Sequence, residues 1–307
     1  MEYIHGTSDF VLDRNSAVTL GKFDGIHMGH KKLISIVLDE ARKKGLKSCV
    51  FTFDGLPLSI CPQKYQHFLT TNSERRAYFE SLGLDVEVEY PFTDDFLHMD
   101  PEHFVKNIIV DKLKAKVVVV GTDFHFGKNR AGDPEYLLNA GKIYGFETII
   151  VEKERFQDRE ISSTYVRETL KCGHMETVNV LMGRPFSVSG VVCPGNKLGR
   201  QINIPTANIY PTISKLLPPN GVYASVTQMG DRKFYGVTNI GVKPTVSDEN
   251  NVSVETNMFD FDSECYGKHV EVFLLHFIRP EMKFESVEDL QKQMEKDAQF
   301  AKDLFMI

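Results

Sequence analysis

The stretch Ala17-Val18-Thr19-Leu20-Gly21-Lys22-Phe23-Asp24-Gly25-Ile26-His27-Met28-Gly29-His30 decides the reading of the first half of the chain. Ala17 to Leu20 reads as a short buried strand, and Gly21 and Gly25 mark a turn after it. Lys31 to Lys44 then reads as a helix, with Leu33, Ile34, Val37, Leu38 and Ala41 on one face and Gly45 in the usual terminating position. The pattern continues outward. Leu46 to Phe53, Val86 to Tyr90, Val117 to Val120 and Glu147 to Val151 read as further strands. Between them, Ser73 is the expected cap of a helix running to Gly83, and Pro101 to Leu113 is another helix. Strands alternating with helices imply parallel crossovers, hence an α/β doubly wound, Rossmann-like parallel sheet whose ligand sits beyond the carboxyl ends of its strands.

After about Leu181 helical periodicity gives way to short apolar runs separated by Gly, Pro and Asn. Phe186 to Cys193, Gly221 to Gln228, Lys233 to Thr238, Val252 to Met258 and Val270 to Ile278 read as strands of an antiparallel β-barrel. A closing amphipathic helix follows, with Ser286 as its cap and Glu288 in its first turn. The junction falls in Lys171 to Gly183, giving domains over 1–182 and 183–307.

Composition narrows the class. A chain of 307 residues with 42% apolar and 25% charged residues fits two globular domains. A net charge of −6 gives no reason to expect a nucleic-acid or membrane partner. An anionic substrate must therefore be held by local cations, helix ends or metal. The five cysteines are scattered without CxxC spacing, which argues against a disulfide scaffold or structural zinc. The acidic N-terminus is not that of a signal peptide, and no aliphatic run is long enough for a bilayer. A cytoplasmic setting is expected, and a homo-oligomer is left open.

Three constellations carry chemistry. In the opening stretch, Gly29 lets backbone approach a phosphate, and His27 and His30 sit where the helix dipole favours an anion. Two imidazoles there can donate hydrogen bonds to charge developing on an α-phosphate. The plainer alternative is a Gly-rich turn with two surface histidines. In Ile161-Ser162-Ser163-Thr164-Tyr165-Val166-Arg167, Ser162, Ser163 or Thr164 can cap a helix, with Arg167 one turn on, together a grip for departing phosphates. In Gly121-Thr122-Asp123-Phe124-His125-Phe126-Gly127, Asp123 between a strand and two aromatics can seat a flat ring, unless Phe124 and Phe126 simply pack the loop.

The second half holds Gly190-Val191-Val192-Cys193-Pro194-Gly195-Asn196-Lys197-Leu198-Gly199-Arg200, then Ile204-Pro205-Thr206-Ala207-Asn208. Gly195 and Gly199 allow a loop whose amides wrap phosphates, and Lys197 and Arg200 add charge. Thr206 and Asn208, two apart on an extended chain, face the same way, and their oxygens suit Mg²⁺. Glu255, in the strand-like run Val254-Glu255-Thr256-Asn257, is a candidate to accept a proton from a substrate hydroxyl, the plainer alternative being a solvated glutamate on a strand face. No GxxxxGK[ST] is present, so this is no P-loop.

Taken in order, the motifs from Ala17 to Leu170 resemble the adenylyltransferase half of the bacterial bifunctional riboflavin kinase/FAD synthetase family. Gly190 to Asn208, Gly221-Val222-Tyr223-Ala224-Ser225, Asn239 to Val246, Val254 to Asn257, Phe259 to Phe284 and the helix to Asp297 resemble its riboflavin kinase domain. The resemblance implies phosphorylation of riboflavin to FMN, then adenylylation of FMN to FAD with release of pyrophosphate, both from ATP with Mg²⁺. It implies nucleotide contacts at Gly21, Phe23, Gly29, Ser163, Thr164, Gly195, Lys197, Gly199, Arg200, Thr206 and Asn208. It implies catalytic roles for His27, His30, Arg167 and Glu255, metal contacts at Thr206 and Asn208, and flavin contacts at Asp123, Phe124, Phe126 and Arg279. Three departures stand out: Leu56 replaces a usual histidine, Gly55 a usual proline, and Asn257 a usual histidine. Leu56 motivates the nearest alternative, a kinase with a weak or silent adenylyltransferase half. A flavin-sensing regulatory protein is the more distant one.

Overall fold

A computed structural model describes residues 1–55, 67–194, 205–242 and 252–307. The expected contacts at Gly195, Lys197, Gly199 and Arg200, and the departure at Leu56, lie outside the described residues. The chain forms two compact units, Met1–Ser163 and Thr164–Ile307.

In the first unit the strands are β1 (Glu2–His5), β2 (Ser16–Leu20), β3 (Lys47–Phe53), β4 (Val86–Tyr90), β5 (Ala115–Gly121) and β6 (Glu147–Val151). They form one parallel sheet in the order β1-β4-β3-β2-β5-β6. Strands β2, β3 and β4 run one way across the sheet, and β5 and β6 lie on the other side of β2. The order therefore reverses between β2 and β5, the switch point where such sheets bind ligands. The run Val117–Val120 shows why the sheet is covered on both faces. Val118 and Val120 join one apolar cluster with Phe51, Val88 and Phe104. Val117 and Val119 join the other with Ala17, Val50 and Phe79. Helix α1 (Met28–Lys44) lays Ile34, Val37 and Ala41 on that second face and ends at Gly45 in the left-handed conformation, φ 63°.

Two local expectations change. Helix α2 (Asn72–Ser81) is capped by Thr71, not Ser73. The reason is the capping box: Glu74 stands three residues after Thr71 and returns a hydrogen bond to its backbone, whereas Arg76 would occupy that place after Ser73. After the short α3 (Asp94–Leu97), the segment expected as one helix is a single turn, α4 (Pro101–His103), followed by a π-helix over Phe104–Lys112. Its apolar residues Phe104, Val105, Ile108 and Ile109, and Leu113 just after it, are all buried. Helix α5 (Pro134–Tyr144) and the hairpin β7 (Arg155–Phe156) and β8 (Arg159–Glu160) complete this unit.

Helix α6 (Ser163–Lys171) begins at the unit boundary, and α7 (Met175–Met182) follows it. Asn179 on α7 donates to the Leu274 carbonyl and accepts from the Phe186 amide, which fixes α7 on the barrel. The barrel strands are β9 (Phe186–Val191), β10 (Ala207–Ile209), β11 (Gly221–Met229), β12 (Arg232–Val242), β13 (Val252–Met258) and β14 (His269–Arg279). They run antiparallel in the order β10-β13-β12-β11-β14-β9. The two end strands meet where the Cys193 amide donates to the Asn208 carbonyl at 2.8 Å. Helix α8 (Val287–Phe305) closes the unit, capped by the Ser286 hydroxyl, which accepts from the Asp289 amide.

Candidate active sites

In the first unit the turn between β2 and α1 is wound tightly. Phe23, Gly25 and Ile26 have φ of 49°, 83° and 41°. Two of these are left-handed without being glycine, a strained arrangement held because the Phe23 and Ile26 side chains are fully buried. Asp24 fastens the turn. Its carboxylate accepts from the Leu69 and Thr70 amides at 2.8 and 3.3 Å, and its carbonyl accepts from the Ser163 hydroxyl at 2.9 Å. Asp24 was not singled out from the sequence, although it stands inside the quoted stretch. Its partners lie 45 and 139 residues away, and only the fold supplies them.

This turn delivers His27 and His30 as a stacked pair, ring centroids 3.8 Å apart and planes 20° apart, with Phe23 against His30 at 4.9 Å. Gly29 leaves the room: a Cβ there would lie 3.3 Å from the His27 ring. Burial pushes His27 down to about 4, against a smaller opposing pull from Asp123. Burial, then the neighbouring His27, holds His30 well below the usual histidine range. Both are neutral at pH 7. Among the described residues, their Nδ1 atoms are buried with no hydrogen-bond partner. Leaving an N–H unpaired there costs more than leaving a lone pair, so the proton belongs on Nε2, which becomes the donor.

The depressed pKa has a measurable consequence. The unfolded chain, with histidine near 6.5, binds protons that folded His27 refuses until about pH 4. Stability is thus intact above pH 6.5 and falls as pH drops from 6.5 towards 4, by about 3 kcal/mol for the shift at His27. Glu87 acts oppositely. Burial raises it to about 7 despite Arg75 beside it, so the folded state takes up that proton first. Comparing wild type with His27→Gln removes the shared Glu87 contribution. Chemical-denaturation curves of the two should run parallel above pH 7 and diverge below 6, with the wild type losing more.

Of the other expected residues in this unit, Gly21 faces the Phe23 ring. Phe126 is buried against Phe104 and Tyr136, with Gly132 packed on its ring. Phe124 is half-buried and stacks on Phe126, while Asp123 is exposed and paired with Lys153 at 3.0 Å. The hydroxyl proton of Ser163 is committed to Asp24. Thr164 and Arg167 lie in the first turns of α6.

The second unit carries a polar row across three strands. Asn208 on β10 pairs with Glu255 on β13, and Glu255 pairs with Asn239 on β12. Directly paired residues of an antiparallel ladder share a face. The next register, Ile209, Val254 and Ile240, points into the barrel and is buried. Asn208 turns its amide nitrogen towards the Thr206 hydroxyl at 3.5 Å, and Asn257 ties the chain by donating to the Pro205 carbonyl at 2.9 Å. Ser253 donates to Glu255 Oε1 at 3.3 Å. Thr206, Asn239, Glu255 and Asn257 are among the residues lining a pocket of about 850 Å³.

The same pocket is lined by Met258, Phe259, Phe261, Met282 and Phe284, with Asp260, Asp262 and Glu281 between them in sequence. Arg279 lines it with its guanidinium engaged. Nε and Nη2 donate to Asp297 at 2.7–3.0 Å, and Nη1 donates to the Pro280 carbonyl. Asn239 and the Phe259–Phe261 pair were not singled out by sequence reasoning. The alternation along β12 holds the cue for Asn239. A pocket lined both by hydroxyl, amide and carboxylate oxygens and by aromatic faces fits a flat heterocycle carrying a polar chain. Among the described residues there is no cluster of three His, Cys, Asp or Glu that could hold a metal ion.

Comparison with known proteins agrees with this division. A family model described as FAD synthetase matches residues 10–165, and one described as Riboflavin kinase matches 182–305. A relative from Buchnera aphidicola subsp. Schizaphis graminum is 36% identical over 96% of this chain and 95% of its own length. One from Listeria monocytogenes is 36% identical over 99% and 97%. One from Escherichia coli K12 is 35% identical over 94% and 92%. All three are named bifunctional riboflavin kinase/FMN adenylyltransferase. A solved Streptococcus pneumoniae structure, described as a macrolide-efflux protein, superposes with a TM-score of 0.85 at 30% identity, covering 96% of each chain. Among the described residues of the present chain, no helix is long and apolar enough to cross a membrane. Two family models that together cover nearly the whole chain, and relatives 35–36% identical over nearly its full length, place the chain in the bifunctional riboflavin kinase/FMN adenylyltransferase family.

Proposed function

We propose that the chain phosphorylates riboflavin to FMN in its barrel unit and adenylylates FMN to FAD in its α/β unit, using ATP in both steps. The observation that carries this reading is the Asn208–Glu255–Asn239 row, of which Glu255 and Asn239 line the barrel pocket, in the same chain as a separate neutral histidine pair. In the barrel, Glu255 accepts the proton of the ribityl 5′-hydroxyl as that oxygen takes the γ-phosphoryl group, and ADP leaves. The aromatic and methionine side chains of the pocket take the ring, and the Arg279–Asp297 pair stiffens the turn that carries Met282 and Phe284. Thr206 and Asn208 would hold Mg²⁺ with the phosphates, which would offset phosphate charge there. Gly195, Lys197, Gly199 and Arg200 are assigned to the phosphates by resemblance.

In the α/β unit a phosphate oxygen of FMN attacks the α-phosphorus of ATP, and the bond to pyrophosphate breaks. The attacking oxygen is already anionic, so the chemistry calls for stabilisation of the phosphorus centre more than for a base. His27 and His30 supply N–H donors there, and Thr164 and Arg167 are assigned to the leaving pyrophosphate. Asp123 and Phe124 are assigned to the flavin side, with Phe126 as backing. The functional boundary is placed at 182/183, so that Arg167 counts with the adenylyltransferase. ATP-dependent chemistry and free cysteines at 49, 172, 193 and 265 fit a cytoplasmic setting.

Riboflavin incubated with the protein, excess ATP and Mg²⁺ should yield both FMN and FAD by chromatography. FMN without FAD would sink the second step, and absence of FMN would sink the first.

A further inference from the structure

Lys153 stands two residues beyond the carboxyl end of β6. Two carboxylates hold its ammonium, Asp123 Oδ2 at 3.0 Å and Glu160 Oε2 at 2.9 Å. Asp123 follows β5, and β5 lies between β2 and β6 in the sheet. Lys153, Asp123 and His27 therefore share one carboxyl edge, and the charge of Asp123 is felt at His27. This is the edge where an open α/β sheet takes its ligand. The two histidines bring hydrogen-bond donors to it but no formal positive charge. Both substrates of the proposed adenylyl transfer, a nucleoside triphosphate and a phosphate monoester, are anions.

We infer that Lys153 is a phosphate-binding residue of the adenylyltransferase reaction, held by Asp123 and Glu160 when substrate is absent and transferred to a substrate phosphate when it binds. The inference rests on the adenylyltransferase reading of this unit. Exchange is easy on both sides. The Asp123 and Glu160 side chains are 66% and 50% exposed, and ion pairs of that kind contribute little to stability. A phosphate carries more charge than either carboxylate, and a lysine is a mobile point charge with three donors on a flexible stem.

A purely structural role would look different. Glu160 belongs to β8, so the Lys153 contacts also tie the β7–β8 hairpin to the loop after β5. If tethering were its whole purpose, removing Glu160 would do the same harm as removing Lys153. If Lys153 binds phosphate, removing Glu160 frees the cation and spares the reaction.

The test uses the full chain with supplied FMN, ATP and Mg²⁺. Lys153→Gln should raise KM by about 10- to 100-fold, the range of a lost charge-assisted hydrogen bond, with kcat changed far less. Lys153→Arg should recover most of the loss, and Glu160→Gln should leave KM unchanged or lower it. A rise in KM for ATP with weaker pyrophosphate inhibition assigns the nucleotide as the phosphate's source; a rise in KM for FMN assigns the monoester. Riboflavin phosphorylation by the same samples should stay at the wild-type rate. The inference is overturned if Glu160→Gln raises KM as Lys153→Gln does, or if Lys153→Gln leaves both KM values unchanged. Should the wild type make no FAD, the functional reading fails by itself. Calorimetric titration with FMN and with pyrophosphate then decides the binding role: weaker binding to Lys153→Gln alone supports it, and equal affinities overturn it.

Discussion

Glu255→Gln should lower the rate of FMN formation by roughly 10²- to 10⁴-fold, the usual contribution of a positioned general base, and leave FAD formation from supplied FMN at the wild-type rate. The substitution is nearly isosteric. Glutamine keeps an oxygen that can accept from the Ser253 hydroxyl, now at 3.3 Å, so the register of β13 against β10 and β12 should survive. What is lost is the ability to take up a proton from the substrate hydroxyl. KM for riboflavin should move little, because the Phe259, Phe261, Met282 and Phe284 side chains that line the same pocket are left unchanged. Equal loss of both activities would show that the two reactions share a site. A small loss confined to KM would show that Glu255 binds substrate and takes no proton.

Much of this barrel site was legible because strands have a period of two. Thr206 and Asn208 face one way on any extended chain, and so do Glu255 and Asn257. The sequence does not show which strands pair. The adjacency of Asn208, Glu255 and Asn239 is a matter of register, fixed by the whole sheet. The α/β unit divides in the same way. Ala17–Leu20, the HxGH turn and the Lys31–Lys44 helix could be placed because apolar runs and glycine punctuation are local. Asp24 could not be given its role, since its partners are Leu69, Thr70 and Ser163.

Strand β4 is the sharpest example. Val86-Glu87-Val88-Glu89-Tyr90 alternates as a half-exposed strand would, yet all five residues are buried. β1 and β3 pair on either side of it, and Arg75 from α2 brings its guanidinium to both glutamates. A buried charge is tolerated only with such a partner, and no local pattern announces one twelve and fourteen residues away. The edge strand β1 escaped for a simpler reason, its four residues being too few to show a period.

His30→Ala should cut FAD formation from supplied FMN by about 10²- to 10³-fold, the cost of removing one preorganised donor from a developing charge, while riboflavin phosphorylation continues unchanged. The unaltered kinase activity in the same sample reports that the barrel unit is intact. His27→Ala should cost a similar factor. The double variant should lose far less than the product of the two. The rings are stacked at 3.8 Å, and each is held in place by the other, so each single change already disturbs both donors. The neutral state of the pair sharpens this expectation. Between pH 6 and 8 neither imidazole titrates in the free protein, because burial holds His27 down to about 4 and His30 well below the histidine range. Over that interval kcat/KM for FAD formation should therefore show no histidine ionisation of the free enzyme. A limb near 6.5 that disappears in His27→Ala would mean that the pair works as imidazolium, with charge and not hydrogen-bond direction as its contribution. A flat profile together with the large loss in His30→Ala would leave the directed Nε2–H donors as the means by which this turn stabilises the phosphorus centre.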